Sequence, residues 1–196
     1  MQSKTFVFFG IVGSGKGTQI NLLIDFLKKN YNQESIHAYP GNEYRKIFES
    51  QNQIASLIKE TLEGGSLQPD FLTNAIFVNI LINSLNQDTN LIADGYPRTI
   101  PQSEEFLQQM AFFKRENIKI IYIKLGEEEA MKRNLLRGRF DDTMEGLKKR
   151  FGEYKNNVVP AMEFLKNKGV EVIEINGEQT VEKVHQDIIS SLNLNN

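Results

Sequence analysis

The feature that most limits what this chain can become lies near its start. A short apolar run, Thr5-Phe6-Val7-Phe8-Phe9, breaks into Gly10-Ile11-Val12-Gly13-Ser14-Gly15-Lys16-Gly17-Thr18-Gln19 and then into a segment of helical periodicity. Strand, glycine-rich loop and helix in that order form the setting of a phosphate-binding loop. The glycines let the backbone turn successive N–H groups toward phosphate oxygens, and the helix N-terminus adds its partial positive charge. Gly13, Ser14, Gly15, Lys16, Gly17 and Thr18 are the candidate cradle, with Lys16 a point charge at the β- and γ-phosphates. One departure from the general pattern matters. Gly17 stands where a Ser or Thr hydroxyl ordinarily ligates Mg²⁺. No side chain at 17 can do so, which leaves magnesium to nucleotide oxygens and water, a habit that suits this reluctantly dehydrated ion.

Beyond 5–9, β-branched and aromatic runs fall at 91–93, 118–124 and 170–175, with a weaker one at 35–39. Between them, periodicity predicts helices over 18–29, 53–63, 71–85, 100–110, 127–136, 145–154 and 181–192. Strands alternating with helices predict an α/β fold, a doubly wound five-stranded parallel sheet with helices on both faces. Such folds take ligands at the carboxyl ends of their strands.

Composition narrows the chemistry. The chain has 196 residues, enough for one domain with an insertion. Its 23 Lys and Arg against 25 Asp and Glu give a net charge of −2, and the pI is about 5.8. That argues against a generally basic nucleic-acid or membrane surface, though not against a local basic cluster. Cysteine is absent, which excludes disulfides, thiol nucleophiles and thiolate metal sites, and two histidines cannot build a His-rich one. The run at 6–9 is too short for the apolar region of a signal peptide, and no run approaches the roughly 20 residues of a membrane span. The expectation is a cytosolic protein working with backbone amides, carboxylates, arginines and lysines.

Two stretches carry a resemblance. Lys16-Gly17-Thr18-Gln19 resembles the loop of adenylate kinase and its nucleoside-monophosphate kinase relatives. Leu91-Ile92-Ala93-Asp94-Gly95-Tyr96-Pro97-Arg98-Thr99-Ile100-Pro101-Gln102 resembles that family's apolar strand, Asp-Gly-aromatic-Pro-Arg and Gln/Asn pattern without a mismatch. The likeness runs from about residue 5 to 189 and implies the phosphate-loop kinase version of the doubly wound fold. Asp94, at the end of a buried strand, can accept from metal-bound water. Arg98 has the planar fork that grips phosphate; a turn salt bridge between the two is the plainer alternative. The resemblance assigns Arg98 and Gly95 to the acceptor nucleotide and gives Gln102 the acceptor base.

Pro40-Gly41-Asn42-Glu43-Tyr44-Arg45 stands where the family has Thr-Gly-Asp-x-x-Arg. Gly41 and Arg45 fit, and Arg45 is a second arginine for the acceptor phosphate. Pro40 lacks the hydroxyl that helps orient the acceptor base, and Asn42 replaces a second carboxylate for magnesium's waters. Gly65-Ser66-Leu67-Gln68-Pro69-Asp70 resembles the stretch that closes the acceptor unit, and reads equally well as a turn and helix start.

Arg133 and Arg137 lie four apart on a predicted helix, and Arg139-Phe140-Asp141-Asp142 and Arg150 follow, as in the family. The resemblance puts Arg133 on the donor base and Arg137, Arg139 and Arg150 around the phosphates, with Asp141 and Asp142 orienting them. Arg133 could instead simply pair with Glu129, and Glu128–Lys132 reads as an ordinary helix pair. Lys148 and Lys149 suit a solvated face, and His37 and His185 carry no motif. Only Gly138 separates Arg137 from Arg139, so the lid is very short.

The resemblance thus implies one kinase domain over 1–196. Its core is 1–39, 70–136 and 144–196, its acceptor-nucleotide insertion about 40–69 and its lid about 137–143. The implied reaction moves the γ-phosphoryl of ATP to AMP, giving two ADP, with Mg²⁺ as cofactor and Asp94 holding it through water. Lys16, Asp94, Arg98, Arg139 and Arg150 are the expected catalytic set, in a cytoplasmic monomer with no nucleic-acid or membrane partner. A uridylate/cytidylate-type kinase and a nucleotide-binding regulator with little turnover are the alternatives.

Overall fold

Alternation along the first strand sets the architecture. Phe6 and Phe8 point to one side of it and Val7 and Phe9 to the other, and all are buried. A strand buried on both faces needs a layer on each side. The computed structural model describes residues 3–50, 52–63, 65–138 and 142–194. Along the chain run β1 (Thr5–Phe9), α1 (Lys16–Tyr31), β2 (Ser35–Ala38), α2 (Pro40–Phe48), α3 (Gln53–Glu63), α4 (Asp70–Ser84) and β3 (Asn90–Asp94). Then come α5 (Ile100–Phe112), β4 (Ile118–Lys124), α6 (Glu127–Arg137), α7 (Met144–Glu153), α8 (Val159–Asn167), β5 (Glu171–Asn176) and α9 (Val181–Ser191).

The five strands pair in parallel in the order β2-β3-β1-β4-β5. β1 lies in the middle, with Thr5 opposite Leu91 on one side and Ile118 on the other. On one face, Phe6 and Phe8 pack with Ile20, Leu23 and Leu27 of α1 and Val184 and Ile188 of α9. On the other, Val7 and Phe9 meet Phe77 and Leu81 of α4, Phe106 and Met110 of α5, and Met162 and Leu165 of α8. The expected fold class is thus the observed one. Arg115, which carried no motif, is buried at the far end of the sheet and donates to Thr5 Oγ1 at 3.2 Å and the Thr89 carbonyl at 2.7 Å.

Two helices go beyond the sequence reading. β2 ends at Ala38 rather than 39, and α2 starts at Pro40, whose fixed φ and missing N–H cost nothing in a first turn. α7 continues through a π-helical turn, Tyr154–Val158, into α8, which carries Pro160 in its first turn. A proline inside a continuous helix clashes with the carbonyl four residues back, and the widened turn just before it relieves that crowding.

Candidate active site

The carboxyl ends of β1, β2 and β3 open into a cavity of about 810 Å³. Gly13, Gly15, Lys16, Gly17 and Thr18 line one wall, and Gly41, Arg45, Asp94, Gly95, Arg98 and Gln102 line another. Arg133, Arg137 and Arg150 close the third side. Ser14 is buried in the loop, its Oγ 3.5 Å from Lys16 Nζ. Arg139 and Asp141 lie outside the described residues. A chain of net charge −2 thus gathers Lys16 and five arginines into one cleft, a concentration of positive field suited to polyanions.

Lys16 folds back on its own loop, donating to the Gly10 carbonyl at 2.6 Å and the Ile11 carbonyl at 3.1 Å. Burial lowers its pKa to about 8; Asp94 opposes that shift, and Arg98 and Arg137 reinforce it. The loop is held from outside by Asn134 of α6, whose Nδ2 donates to the Val12 carbonyl at 2.9 Å and the Ala130 carbonyl at 2.7 Å. Gly13, at φ 89°, admits this contact, since a Cβ there would lie 2.4 Å from Asn134 Nδ2.

Asp94 ends β3, and its partner is not Arg98. His37 Nε2 lies 3.1 Å from Asp94 Oδ2, while Arg98 donates through Nε to the Gly95 carbonyl at 2.8 Å. Gln102 is buried, accepting from Arg98 N at 2.8 Å and donating to Asp70 Oδ1 at 2.7 Å. Its Nε2 carries a second N–H, so the amide can meet a further partner without giving up either contact. Asp70, the last residue of the Gly65–Asp70 stretch, therefore starts α4 and also fixes Gln102.

At the third side, Arg137 makes a two-point contact with Asp142, Nε to Oδ2 at 3.0 Å and Nη2 to Oδ1 at 2.8 Å. Arg150 Nη2 reaches Asp142 Oδ1 at 3.2 Å. Asp142 has a fully covered side chain and ties two cationic arms from α6 and α7 together. Arg133 donates to Glu129 Oε1 at 2.8 Å and to the Gly177 carbonyl at 3.1 Å, so the bland pairing and a place in the cleft are both realised. Lys132 pairs with Glu129 at 3.9 Å, a three-residue spacing in place of the expected Glu128–Lys132 pair.

The family model of adenylate kinase matches residues 8–170. The chain belongs to the adenylate kinase family. It is 32% identical over 192 residues to an adenylate kinase of Parabacteroides distasonis, covering 95% of this chain and 96% of that one. It is 30% identical over 182 residues to that of Oenococcus oeni, with 91% and 93% covered. The figure for the Bacteroides fragilis relative is 32% over 191 residues, with 95% and 96% covered. Adenylate kinases are phosphotransferases, and so is this one.

For an adenylate kinase cleft the donor set toward a metal is spare. Among the described residues no group of three or more His, Cys, Asp or Glu could hold an ion. A cleft of one lysine and five arginines that also presents Asp25, Asp94 and Glu153 nevertheless suits Mg²⁺ that keeps most of its waters and is held mainly by a nucleotide. No helix among the described residues is long and apolar enough to cross a membrane. Among the cleft residues that escaped the sequence reading are His37, Tyr39 and Asn134. Alternation along β2 places His37 and Tyr39 on one side, a weak signal that could have found them once the strand's end was known to face the loop. Asn134 lay between two arginines already read as a helix face, with nothing local to mark it.

Proposed function

We propose that this cleft moves the γ-phosphoryl of ATP to AMP, with the work divided among three groups of residues. The phosphate loop and Lys16 hold the donor's phosphates, and Arg133 lies against the donor base. Gly41, Arg45, Gly95, Arg98 and Gln102 hold the acceptor, in a unit formed by residues about 40–69 on a core of 1–39, 70–136 and 144–196. Arg137 and Arg139, in the lid at about 137–143, and Arg150, on α7, draw charge off the transferring group. The observation that carries this reading is convergence. Lys16, Asp94, Arg45, Arg98, Arg137 and Arg150 line one cavity although they come from five separate stretches of the chain.

Transfer between two anionic nucleotides is mainly a problem of position and charge. An acceptor phosphate is already an anionic nucleophile, so no general base is required, and a cleft of fixed guanidiniums stabilises the redistributed charge. Asp94 would hold magnesium through its waters, and the bound ion supplies charge neutralisation between the phosphates. His37 keeps the Asp94 carboxylate aimed from the side of β2. One chain carries donor and acceptor walls, so the reading is of a monomer, working where both nucleotides are met, in the cytoplasm.

A coupled assay with ATP and a panel of AMP, CMP, UMP, GMP and dTMP tests it. The expected outcome is turnover highest with AMP. Lys16→Ala and Arg98→Ala should each lower kcat/KM by about 10²-fold or more. Highest turnover with UMP or CMP would reassign the acceptor base, which the loss of the hydroxyl at Pro40 makes worth asking. Tight ATP binding with no transfer to any acceptor would make the chain a nucleotide-binding regulator.

A further inference from the structure

Tyr39 stands between the end of β2 and the first turn of α2, and it lines the cavity. Its ring lies parallel to that of His37, with 5.7 Å between centroids and 8° between planes. Its hydroxyl accepts a hydrogen bond from Arg45 Nη2 at 3.1 Å, and the Arg45 guanidinium carbon is 5.4 Å from the ring centroid. Space for the ring comes from Gly41, where a Cβ would lie 2.5 Å from Tyr39 Cε2. Arg45 is one helical turn further along α2, and it is gripped twice by the same side chain, through a hydrogen bond and through the ring face.

We propose that Tyr39 is a positioning residue of the acceptor site, holding the Arg45 guanidinium aimed into the cleft before a nucleoside monophosphate arrives. The inference rests on the reading of Arg45 as a grip on the acceptor phosphate. A free arginine stem samples many rotamers, and an acceptor that must first immobilise it binds more weakly than one that finds it in place. Tyr39 also joins the two halves of the cleft. From Arg45 the contacts run through the Tyr39 ring to His37 and on to Asp94, linking the acceptor's cation to the carboxylate that faces the loop.

The test is steady-state kinetics on the full chain with Tyr39→Phe, Tyr39→Ala and, as a reference, Arg45→Ala. Tyr39→Phe keeps the ring over Arg45 and removes the hydrogen bond; KM for AMP is expected to rise about fivefold. Tyr39→Ala removes both holds and should raise it about thirtyfold. In Tyr39→Phe, which keeps the ring against His37, kcat and KM for ATP stay within about twofold. Thermal melting of each variant accompanies the kinetics, and Tyr39→Phe is the variant whose fold is least disturbed. An unchanged KM for AMP in both Tyr39 variants, with Arg45→Ala raising it, would overturn this inference alone. An unchanged KM for AMP in Arg45→Ala would overturn the reading of Arg45 and this inference with it. Losses spread equally over AMP, ATP and kcat would make Tyr39 a merely structural residue and would also overturn it.

Discussion

Lys16 has to give up the Gly10 and Ile11 carbonyls before it can serve a nucleotide, and it starts from a site that disfavours its charge. Burial lowers its pKa from 10.5 to about 8, so the amine is largely charged below that pH and increasingly neutral above it. A triphosphate binds the charged form, and so above the folded pKa binding must bring a proton with it. ATP affinity should therefore fall as pH rises past about 8, approaching about tenfold per pH unit. At that midpoint, binding should take up about half a proton per site. Calorimetry in buffers of different ionisation enthalpy measures this; affinity independent of pH from about 8 to 10 would contradict it. At this scale the sequence was most readable where chemistry is written in consecutive residues. Lys16 in its loop and Arg98 after Asp94-Gly95 needed only spacing, and both line the cavity. His37 and Asn134 act through partners 57 and 122 residues away, Asp94 and Val12, which no local pattern announces.

Among the elements, the connection between α6 and α7 is the one that the proposed function makes the cover over the phosphates. α6 ends at Arg137 and α7 begins at Met144, leaving only 138–143 between them. Cover over a reacting phosphoryl group excludes water, and a shorter cover excludes less. ATP hydrolysis in the absence of any acceptor is therefore expected to be measurable, and to disappear in Lys16→Ala. A background below detection, with transfer still rapid, would show that so short a connection suffices. The central strands β1 and β3 were legible because their apolar runs are buried on both faces. α2 and α8 were not, for a shared reason. Each carries a proline where sequence pattern suggests a break: at Pro40 the backbone makes a start, and at Pro160 it continues the helix from α7 through the π-helical turn. The polar stretch of the π-helical turn before α8 hid the continuity with α7 further.

For the whole molecule, the donor wall belongs to the central strand and its loop, so occupancy of the site is coupled to stability of the entire fold. A ligand that binds only the folded chain stabilises it by about 2.7 kcal/mol at a hundred times its Kd. For a chain of this size that is a rise in melting temperature of roughly 5–11 °C. ATP is expected to give such a shift and Lys16→Ala to lose most of it, as read by thermal melting with and without nucleotide. A shift of the same size in the variant would move ATP binding away from the loop. The order of the strands has one more consequence, in time rather than in space. β1 is made first, yet its neighbours come 86 and 113 residues later, at Leu91 and Ile118, and the Asn134 brace on Val12 comes 122 residues later. At ribosomal speeds of about 5–20 residues per second, the loop waits roughly 6–24 s between its own synthesis and that of its brace. Until Leu91 and Ile118 are made, the apolar Thr5–Phe9 segment has α1 to pack on but no strand to pair with. The nucleotide cradle is thus translated ahead of the strands that flank its own and is finished only after them.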